Sequence, residues 1–575
     1  MSVAIGVLFV ALFVNLNVVQ VLQGNSYRDD PNNRRVLLNE YSNPRGQIVV
    51  SGSAIASSRK TSDELKYLRT YADGPVYAPV TGYYSFTYGT SGMEDAENGV
   101  LTGDDTRLFG TKLAGLLTGR DPKGGSVQLT INAAAQQAAF KALGGRRGAV
   151  VALDPQTGGI LAAVSTPSWD PNQLSSHNAD AISRAYHCYS PLNTVQGPNE
   201  SDTAFKARMR TSIPAQLAER EKTCVDVPDD PTALYKADPY NEGPFLNRAF
   251  RQVYPAGSVF KVIDAAAALS LPTPITPTTR IPAPNSYWPL EPQRTSKCSS
   301  SGPCVENFNG ETCDDGKTAT LLLALAKSCN TAFSKLTVDR ITGKTLASEA
   351  QKFGLDAPYP PGSAPDFCDP VAFMTPLSVC RSSPGSLADL ASPDTLAQTA
   401  IGQHDVGITP LQAAMISAAV ANNGTLMQPY LVDKELRPDV SVLKTTAPRQ
   451  LSQVIDPTRD ADLISMMEGV VNGGPGIKDN TGGQAAIDDP NVKVGGKTGT
   501  ADHCSSNAKT CPPPHAWFTG FAMVKGVPKI AVAVIIEDGG VRGDEAAPGT
   551  TTGGLAAAPV AKRVIEAYLK SSGGS

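Results

Sequence analysis

Tyr254-Pro255-Ala256-Gly257-Ser258-Val259-Phe260-Lys261 leads into Val259–Leu271, a run rich in Ala, Val, Ile and Leu. Pro255 and Gly257 punctuate the chain just ahead of this run, which reads as a buried helix with Ser258 at its start. Lys261 stands at i+3, so on a helix it shares a face with Ser258 and lies within hydrogen-bonding reach of it. A serine hydroxyl is a poor nucleophile at neutral pH and needs a neighbour to take its proton. A lysine serves when its surroundings lower its pKa. An Ala-rich buried helix supplies that desolvation, and a helix N-terminus aims backbone N–H groups where an oxyanion would form. Ser-x-x-Lys alone is weak evidence, because an N-cap serine followed by a snorkelling lysine has the same spelling.

Outward from this stretch, 575 residues allow more than one domain, and 41% hydrophobic residues allow a large core. A net charge of −4 without a basic cluster gives no case for nucleic acid, and neither zinc-finger spacing nor Gly-x-x-x-x-Gly-Lys occurs. Ser2–Leu22, SVAIGVLFVALFVNLNVVQVL, carries no charge and is long enough to cross a bilayer, which takes about 20 residues. No Ala-x-Ala-like cleavage site follows, so an uncleaved anchor is expected over residues 1–23. Arg28, Arg34 and Arg35 beyond the span would by charge alone keep the rest of the chain in the cytoplasm. Two considerations overrule that: long domains are translocated despite their charge, and all ten cysteines lie beyond the anchor. An even number of cysteines without Cys-x-x-Cys suggests disulfides in an exported domain rather than a metal site. Proximity gives Cys188–Cys224, Cys298–Cys304, Cys368–Cys380 and Cys504–Cys511, then Cys313–Cys329. Sequence does not fix connectivity, and buried free thiols stay open.

Residues 24–145 mix turns with alternating segments such as Gln47–Val50 and Val127–Ile131, then the helical stretch Ala133–Leu143, and read as a mostly β, non-catalytic module. GAVVALD (148–154) and GILAAV (159–164) read as two strands joined by Pro155-Gln156-Thr157-Gly158, opening a sheet domain over 146–575. Polarity rises over 177–243, which reads as an inserted surface excursion just ahead of the nucleophile, a solvated loop in preference to a border of the active-site cleft. Downstream, Ser328-Cys329-Asn330 follows a helix expected over Ala319–Ala326; serine offers a proton relay and asparagine a donor and acceptor for a peptide amide. Lys497-Thr498-Gly499-Thr500 sits in a strand paired with the HAWFTGFA segment (515–522) and KIAVAVIIE (529–537). There Lys497 and Thr498 offer a carboxylate site, and Gly499 allows close approach of a substrate backbone.

Ser258-Val-Phe-Lys261, Ser328-Cys-Asn330 and Lys497-Thr-Gly499, in this order, match the three-motif set of penicillin-binding proteins and serine β-lactamases. The chain resembles a class B penicillin-binding protein, closest to the actinobacterial penicillin-binding protein A group. Arg45-Gly46-Gln47-Ile48, Gly82-Tyr83, Ser91-Gly92-Met93-Glu94, Asn247-Arg248-Ala249, Gly402-Gln403, Thr409-Pro410-Leu411-Gln412 and Gly553-Gly554 extend the resemblance over nearly the whole chain. The implied fold is an α/β (α+β) transpeptidase domain, an antiparallel sheet flanked by helices, preceded by a pedestal of the dimerisation type and one transmembrane helix.

By that resemblance Ser258 attacks the penultimate D-Ala carbonyl of a stem peptide and Lys261 takes its proton. Ser328 relays a proton to the leaving amine, and Asn330 holds the peptide amide. Lys497, Thr498 and Thr500 bind the terminal carboxylate, with Gly499 beside them, while backbone N–H groups of Ser258 and Thr500 form the oxyanion hole. The implied partners are D-Ala-D-Ala stem peptides, β-lactam antibiotics, the membrane and a lipid-linked glycan polymerase; no metal or organic cofactor is implied. The rival readings are a carboxypeptidase or β-lactamase and a non-catalytic β-lactam sensor or wall scaffold. A lactamase needs a water-activating Glu-x-x-x-Asn, and between the second and third motifs only Glu468–Asn472 has that spelling, in a stretch read as surface helix. Ala256, where the family often has Pro or Gly, and Cys329, inside the second motif, are the departures nearest the site.

Overall fold

The computed structural model describes residues 40–108, 123–194, 200–237, 242–298, 303–356, 377, 379–386, 390–502, 512–540 and 552–573, with isolated positions near the N-terminus. The anchor expected over Ser2–Leu22 lies almost wholly outside these residues. Among the described residues no helix is long and apolar enough to cross a membrane.

The pedestal is built on β1 (Ile48–Val50), β2 (Ser53–Lys60), β3 (Tyr67–Tyr71) and β4 (Ser126–Leu129). β2 pairs antiparallel with β1 and β3, and β4 runs parallel to β1. Val432–Leu436 and Val442–Thr445 complete a six-stranded sheet beyond β4. The pedestal is therefore not confined to 24–145: the edge of β4 needs a partner for its N–H and C=O groups, and a hairpin from within the catalytic sequence supplies it. Helices Gly74–Thr81, Gly92–Ala96 and Asn98–Thr102 make the module mixed rather than mostly β. At its centre Arg45 Nε donates to Glu94 Oε2 at 2.6 Å and Arg69 Nε to Oε1 at 2.7 Å, all three side chains being buried. Burial alone would raise the Glu94 carboxyl, but Arg69 and Arg45 outweigh it and hold the pKa below the usual range.

Helix α1 (Ala133–Leu143), expected to end the pedestal, packs instead on the catalytic sheet. Its Ala135, Ala139, Ala142 and Leu143 share a core with Val150, Val564 and Ile565, a small-residue stripe at helical spacing that fits closely over strands. That sheet has the order β7-β8-β9-β5-β6, all antiparallel, with β5 (Gly148–Leu153), β6 (Ile160–Thr166), β7 (Val492–Ala501), β8 (His515–Val524) and β9 (Val527–Ile536). The uninterrupted apolar runs of β5, β6 and β9 follow from burial on both faces. Ala149, Val151 and Leu153 enter one core, and Val150 and Ala152 the other. Each Val, Leu or Ile so buried stabilises by about 1.5–3 kcal/mol.

The excursion 177–243 is a helical subdomain rather than a solvated loop. Helices α2 (Ala179–Tyr189) and α3 (Asp202–Thr223) are stapled by Cys188–Cys224. Trp169, Ile182, Tyr189 and Val227 form its small core with Ala78 of the pedestal. Tyr186 stacks on Tyr88, and His177 Nδ1 lies 2.6 Å from Asp63 Oδ2. These contacts dock the subdomain on the pedestal. Further helices are α4 (Lys261–Leu269), α5 (Leu321–Ala326), α6 (Asn330–Leu336), α7 (Pro410–Ala421), α8 (Pro457–Asn472) and α9 (Ala558–Ser571), of which α7, α8 and α9 pack directly on the sheet. α7 is buried along its whole length against β5, β8 and β9, with Ser417 Oγ 2.6 Å from Thr519 Oγ1. α1 and α9 cover the opposite face.

Glu94→Gln leaves the buried Arg69 guanidinium without a carboxylate and Arg45 with only Glu40, at 3.8 Å. It is expected to cost about 3–5 kcal/mol, measured as a lowered urea midpoint with an unchanged m-value.

Candidate active site

Ser258 lies in a 3-10 turn, Gly257–Phe260, that runs directly into α4 at Lys261. The first turn is tighter than the α-helix expected from Val259 onward, and it keeps the two side chains adjacent. The turn is held against two neighbours. Gly257 N donates to Gly402 O at 2.8 Å, and a Cβ on Gly402 would stand 2.0 Å from Gly257 O, so this crossing admits only glycine at 402. Trp517 Nε1 donates to Pro255 O at 3.0 Å, while Tyr254 Oη and Arg248 Nε both donate to Glu537 Oε1 at 2.7 Å. The Asn247-Arg248-Ala249 motif thus buttresses the nucleophile turn through Glu537.

Lys261 is fully buried. Its Nζ lies 3.0 Å from Ser258 Oγ, 2.7 Å from Ser328 O, 2.7 Å from Asn330 Oδ1 and 3.2 Å from Ser328 Oγ. Burial, and then the neighbouring Lys497, push its pKa well below the ordinary lysine value, while Asp264 pulls the other way. An unprotonated amine has two N–H bonds and one lone pair. The two shortest contacts are to acceptor-only oxygens, which take both N–H bonds and leave the lone pair for a hydroxyl. Ser258 Oγ, at 3.0 Å, is the nearer of the two hydroxyls.

Ser328 lies in the short α5–α6 connection, and Asn330 is the first residue of α6. Ser328 has φ of +60°, a left-handed conformation that costs a non-glycine residue about 1–3 kcal/mol. The loop is tied down by Cys329 N donating to Ala324 O at 2.8 Å and by the Cys313–Cys329 disulfide. Asn330 opens α6 and donates from Nδ2 to Glu306 O at 2.9 Å, and the next residue donates from Thr331 N to Asn307 Oδ1 at 3.1 Å.

Lys497, on edge strand β7, is also fully buried and donates to Ser328 Oγ at 2.8 Å and Thr498 O at 2.8 Å. Burial lowers its pKa to about 7. Gly499 lies against the nucleophile turn, where a Cβ would meet Val259 Cγ2 at 3.2 Å and Trp517 Cβ at 2.9 Å. Thr500 is partly exposed, and its carbonyl lies 2.8 Å from the position of a Cβ on Gly257. The structure therefore gathers Ser258, Lys261, Ser328, Asn330 and Lys497 into one hydrogen-bonded cluster. Thr498, Gly499 and Thr500 extend from it along β7.

Cys188–Cys224, Cys298–Cys304 and Cys313–Cys329 are the pairs formed among the described residues. Cys380 is disulfide-bonded. Cys368, Cys504 and Cys511 lie outside the described residues. Glu468 and Asn472 lie on α8, where Asn472 Nδ2 donates to Val494 O at 2.8 Å and Glu468 stands 3.7 Å from Lys493. That geometry engages them with the far end of β7. Among the described residues no group of three or more His, Cys, Asp or Glu is placed to hold a metal ion.

One contributor escaped the motif reading. Asp264, one turn beyond Lys261, is fully buried, and Thr337 Oγ1 donates to its carboxylate, 2.7 Å from each oxygen. Burial raises its pKa to about 8 against the effects of Thr337 and Lys261. A single acidic residue within the run VIDAAAAL was the visible signal.

A serine–lysine–serine relay, its lysine buried and its serines half-buried, beside a cationic strand edge is the site of a serine acyltransferase. By sequence, the chain belongs to the penicillin-binding protein transpeptidase family. Residues 148–566 match the penicillin-binding protein transpeptidase domain, and residues 45–127 match the penicillin-binding protein A dimerisation domain. It is 40% identical to the peptidoglycan D,D-transpeptidase PbpA of Mycolicibacterium smegmatis over 99% of this chain and 98% of that one. It is 38% identical to PbpA of Mycobacterium tuberculosis over the same shares. The solved penicillin-binding protein A of M. tuberculosis, as a ceftriaxone acyl-enzyme, superposes with a TM-score of 0.71 at 37% identity, covering 93% of this chain and 100% of that one.

With its pKa raised to about 8, Asp264 is mostly protonated below that pH and places little charge beside Lys261. Asp264→Asn, which keeps an acceptor for Thr337, is therefore expected to leave the acidic limb of the pH profile for Ser258 acylation by a β-lactam within about 0.3 pH unit of the wild type. Stopped-flow acylation rates between about pH 5 and about pH 9, from below the usual histidine value upward, check this.

Proposed function

We propose that the chain is a peptidoglycan D,D-transpeptidase, anchored by residues 1–23 with its pedestal and catalytic modules outside the cell membrane. The observation that carries the reading is Lys261 Nζ at 3.0 Å from Ser258 Oγ, with its two N–H bonds committed to Ser328 O and Asn330 Oδ1. Ser258 Oγ attacks the penultimate D-Ala carbonyl as its proton passes to Lys261 Nζ, which forms the ester C–O bond. The C–N bond to the terminal D-Ala then breaks. The leaving nitrogen takes a proton through Ser328 Oγ, which lies 3.2 Å from Lys261 and 2.8 Å from Lys497. In the second half-reaction an acceptor amine attacks the ester, its proton returns through the same relay, and Ser258 leaves with its hydroxyl restored.

Asn330 positions the donor peptide amide, and Lys497, Thr498 and Thr500 receive the terminal carboxylate, with Gly499 giving the backbone room. Ser258 N–H and Thr500 N–H face the developing oxyanion, a contribution commonly worth about 2.7–4 kcal/mol per donor. β-Lactams, which mimic D-Ala-D-Ala, acylate the same serine. This accords with the acyl-enzyme complexes of M. tuberculosis penicillin-binding protein A. The 24–145 module and anchor would present the catalytic domain to stem peptides and to a glycan polymerase in the membrane.

Mass spectrometry of a D-Ala-D-Ala stem peptide mixed with an amine acceptor tests the reaction. Cross-linked product with loss of one D-Ala is expected, and purely hydrolysed product overturns transpeptidation. Labelled penicillin is expected to attach to the wild type and not to Ser258→Ala. Lys261→Ala is expected to slow acylation by at least about 100-fold, the usual weight of a general base.

A further inference from the structure

Thr481 belongs to none of the three motifs, yet it touches the arms that carry two of them. Thr498 Oγ1 lies 2.7 Å from Thr481 Oγ1, and Thr481 N and Oγ1 each lie 3.2 Å from the carbonyl oxygen of Ala326. Ala326 ends α5, two residues before Ser328. The next residue on that arm, Lys327, has its Nζ 3.4 Å from Asp479 Oδ2. The segment 479–481 is itself fixed from behind. Asn480 Nδ2 donates to Val470 O at 3.2 Å and Val471 O at 2.7 Å, and a Cβ on Gly554 would stand 2.1 Å from Thr481 O.

The direction of this hydroxyl chain follows from its last member. A carbonyl only accepts, so the single hydroxyl hydrogen of Thr481 is spent on Ala326 O. Thr481 Oγ1 can then only accept from Thr498, and the Thr498 hydrogen is spent on Thr481. A carboxylate arriving at Thr498 is also acceptor-only. To bind it, Thr498 turns its hydrogen to the ligand and becomes an acceptor, and the Thr481 hydrogen swings from Ala326 O to Thr498 Oγ1. Ala326 O keeps the backbone N–H of Thr481.

We propose that Thr481 is a positioning residue whose hydroxyl couples occupancy of the carboxylate site at Thr498 to the arm that carries Ser328. The inference rests on the assignment of Lys497 and Thr498 to the terminal carboxylate of the donor. With the site empty, the arm is gripped at Ala326 by two donors; with it filled, by one, while Thr498 gains a donor that strengthens its own bond to the ligand. Departure of the terminal D-Ala restores the first arrangement. The acyl-enzyme that awaits the acceptor thus has a differently held Ser328 from the enzyme that binds the donor.

The test compares full-length wild type, Thr481→Val, Thr481→Ser and Thr498→Val on two acyl-D-Ala thioesters, one of thioglycolic acid and one of its methyl ester. Each acylates Ser258 by forming a C–O bond and breaking a C–S bond, the proton of Ser258 leaving on the thiol. Thr481→Val is expected to slow acylation by the carboxylate-bearing thioester about fivefold, the weight of one hydrogen bond between neutral groups, and by the methyl ester less than about twofold. Thr481→Ser is expected to keep the wild-type ratio. A purely structural role would slow both thioesters equally, and that result overturns the proposal, as does a Thr481→Ser variant no better than Thr481→Val. If Thr498→Val abolishes the carboxylate preference while Thr481→Val retains it, the coupling alone is wrong. If Thr498→Val retains the preference, the carboxylate assignment falls and the coupling with it.

Discussion

Two lysines, Lys261 and Lys497, lie fully buried and meet on the hydroxyl of one serine, with Nζ atoms 3.2 and 2.8 Å from Ser328 Oγ. Placing two cations side by side in a dry interior is costly, and the protein meets the cost by lowering the pKa of both. The surrounding structure serves that constraint. α4 desolvates Lys261, the left-handed turn at Ser328 aims a carbonyl and a hydroxyl at the same amine, and β7 delivers Lys497 from a sheet buried on both faces. An amine whose pKa is lowered in this way is a base ready beside Ser258, without the hydrogen-bonded carboxylate that orients the base in serine–histidine systems.

Much of this was legible in the sequence because it depends on local spacing. Ser258 and Lys261 share a helical face wherever that helix is placed, and the alternation of β5 and β9 between two cores follows from their length and apolarity. What was not legible depends on elements distant in sequence. Nothing around Val432–Leu436 says that it pairs with Ser126–Leu129, and the small-residue stripe of α1 fits a strand surface without saying which sheet. The excursion 177–243 looked solvated because its charges are scattered along α3. Its apolar residues are few, and they become a core only with Trp169 and the pedestal aromatics beside them. The Cys313–Cys329 pair was the last to be reached by proximity, since its other evidence is the need to hold a strained loop.

The motif glycines were recognisable as letters but acquire their reason from close crossings. Gly402 passes the carbonyl of Gly257. A Cβ on Gly553 would stand 1.9 Å from Trp517 O and 2.5 Å from Gly499 O. Such contacts convert a loop of the catalytic domain and the start of its last helical segment into walls of the nucleophile turn. Volume added at either position would be felt at Ser258.

The shared pedestal sheet has a consequence for the order of events during synthesis. Gln128 Nε2 donates to Asp433 Oδ2 at 3.0 Å across 305 residues, beside the strand pair that seals β4. A chain that emerges N-terminus first exposes β1 to β4 long before the hairpin that completes their sheet exists. The first module to be made is thus among the last to be finished, and most of the catalytic domain must leave the ribosome before the platform beneath it closes. Cutting the chain between the two modules would separate two parts of one sheet rather than two independent folding units.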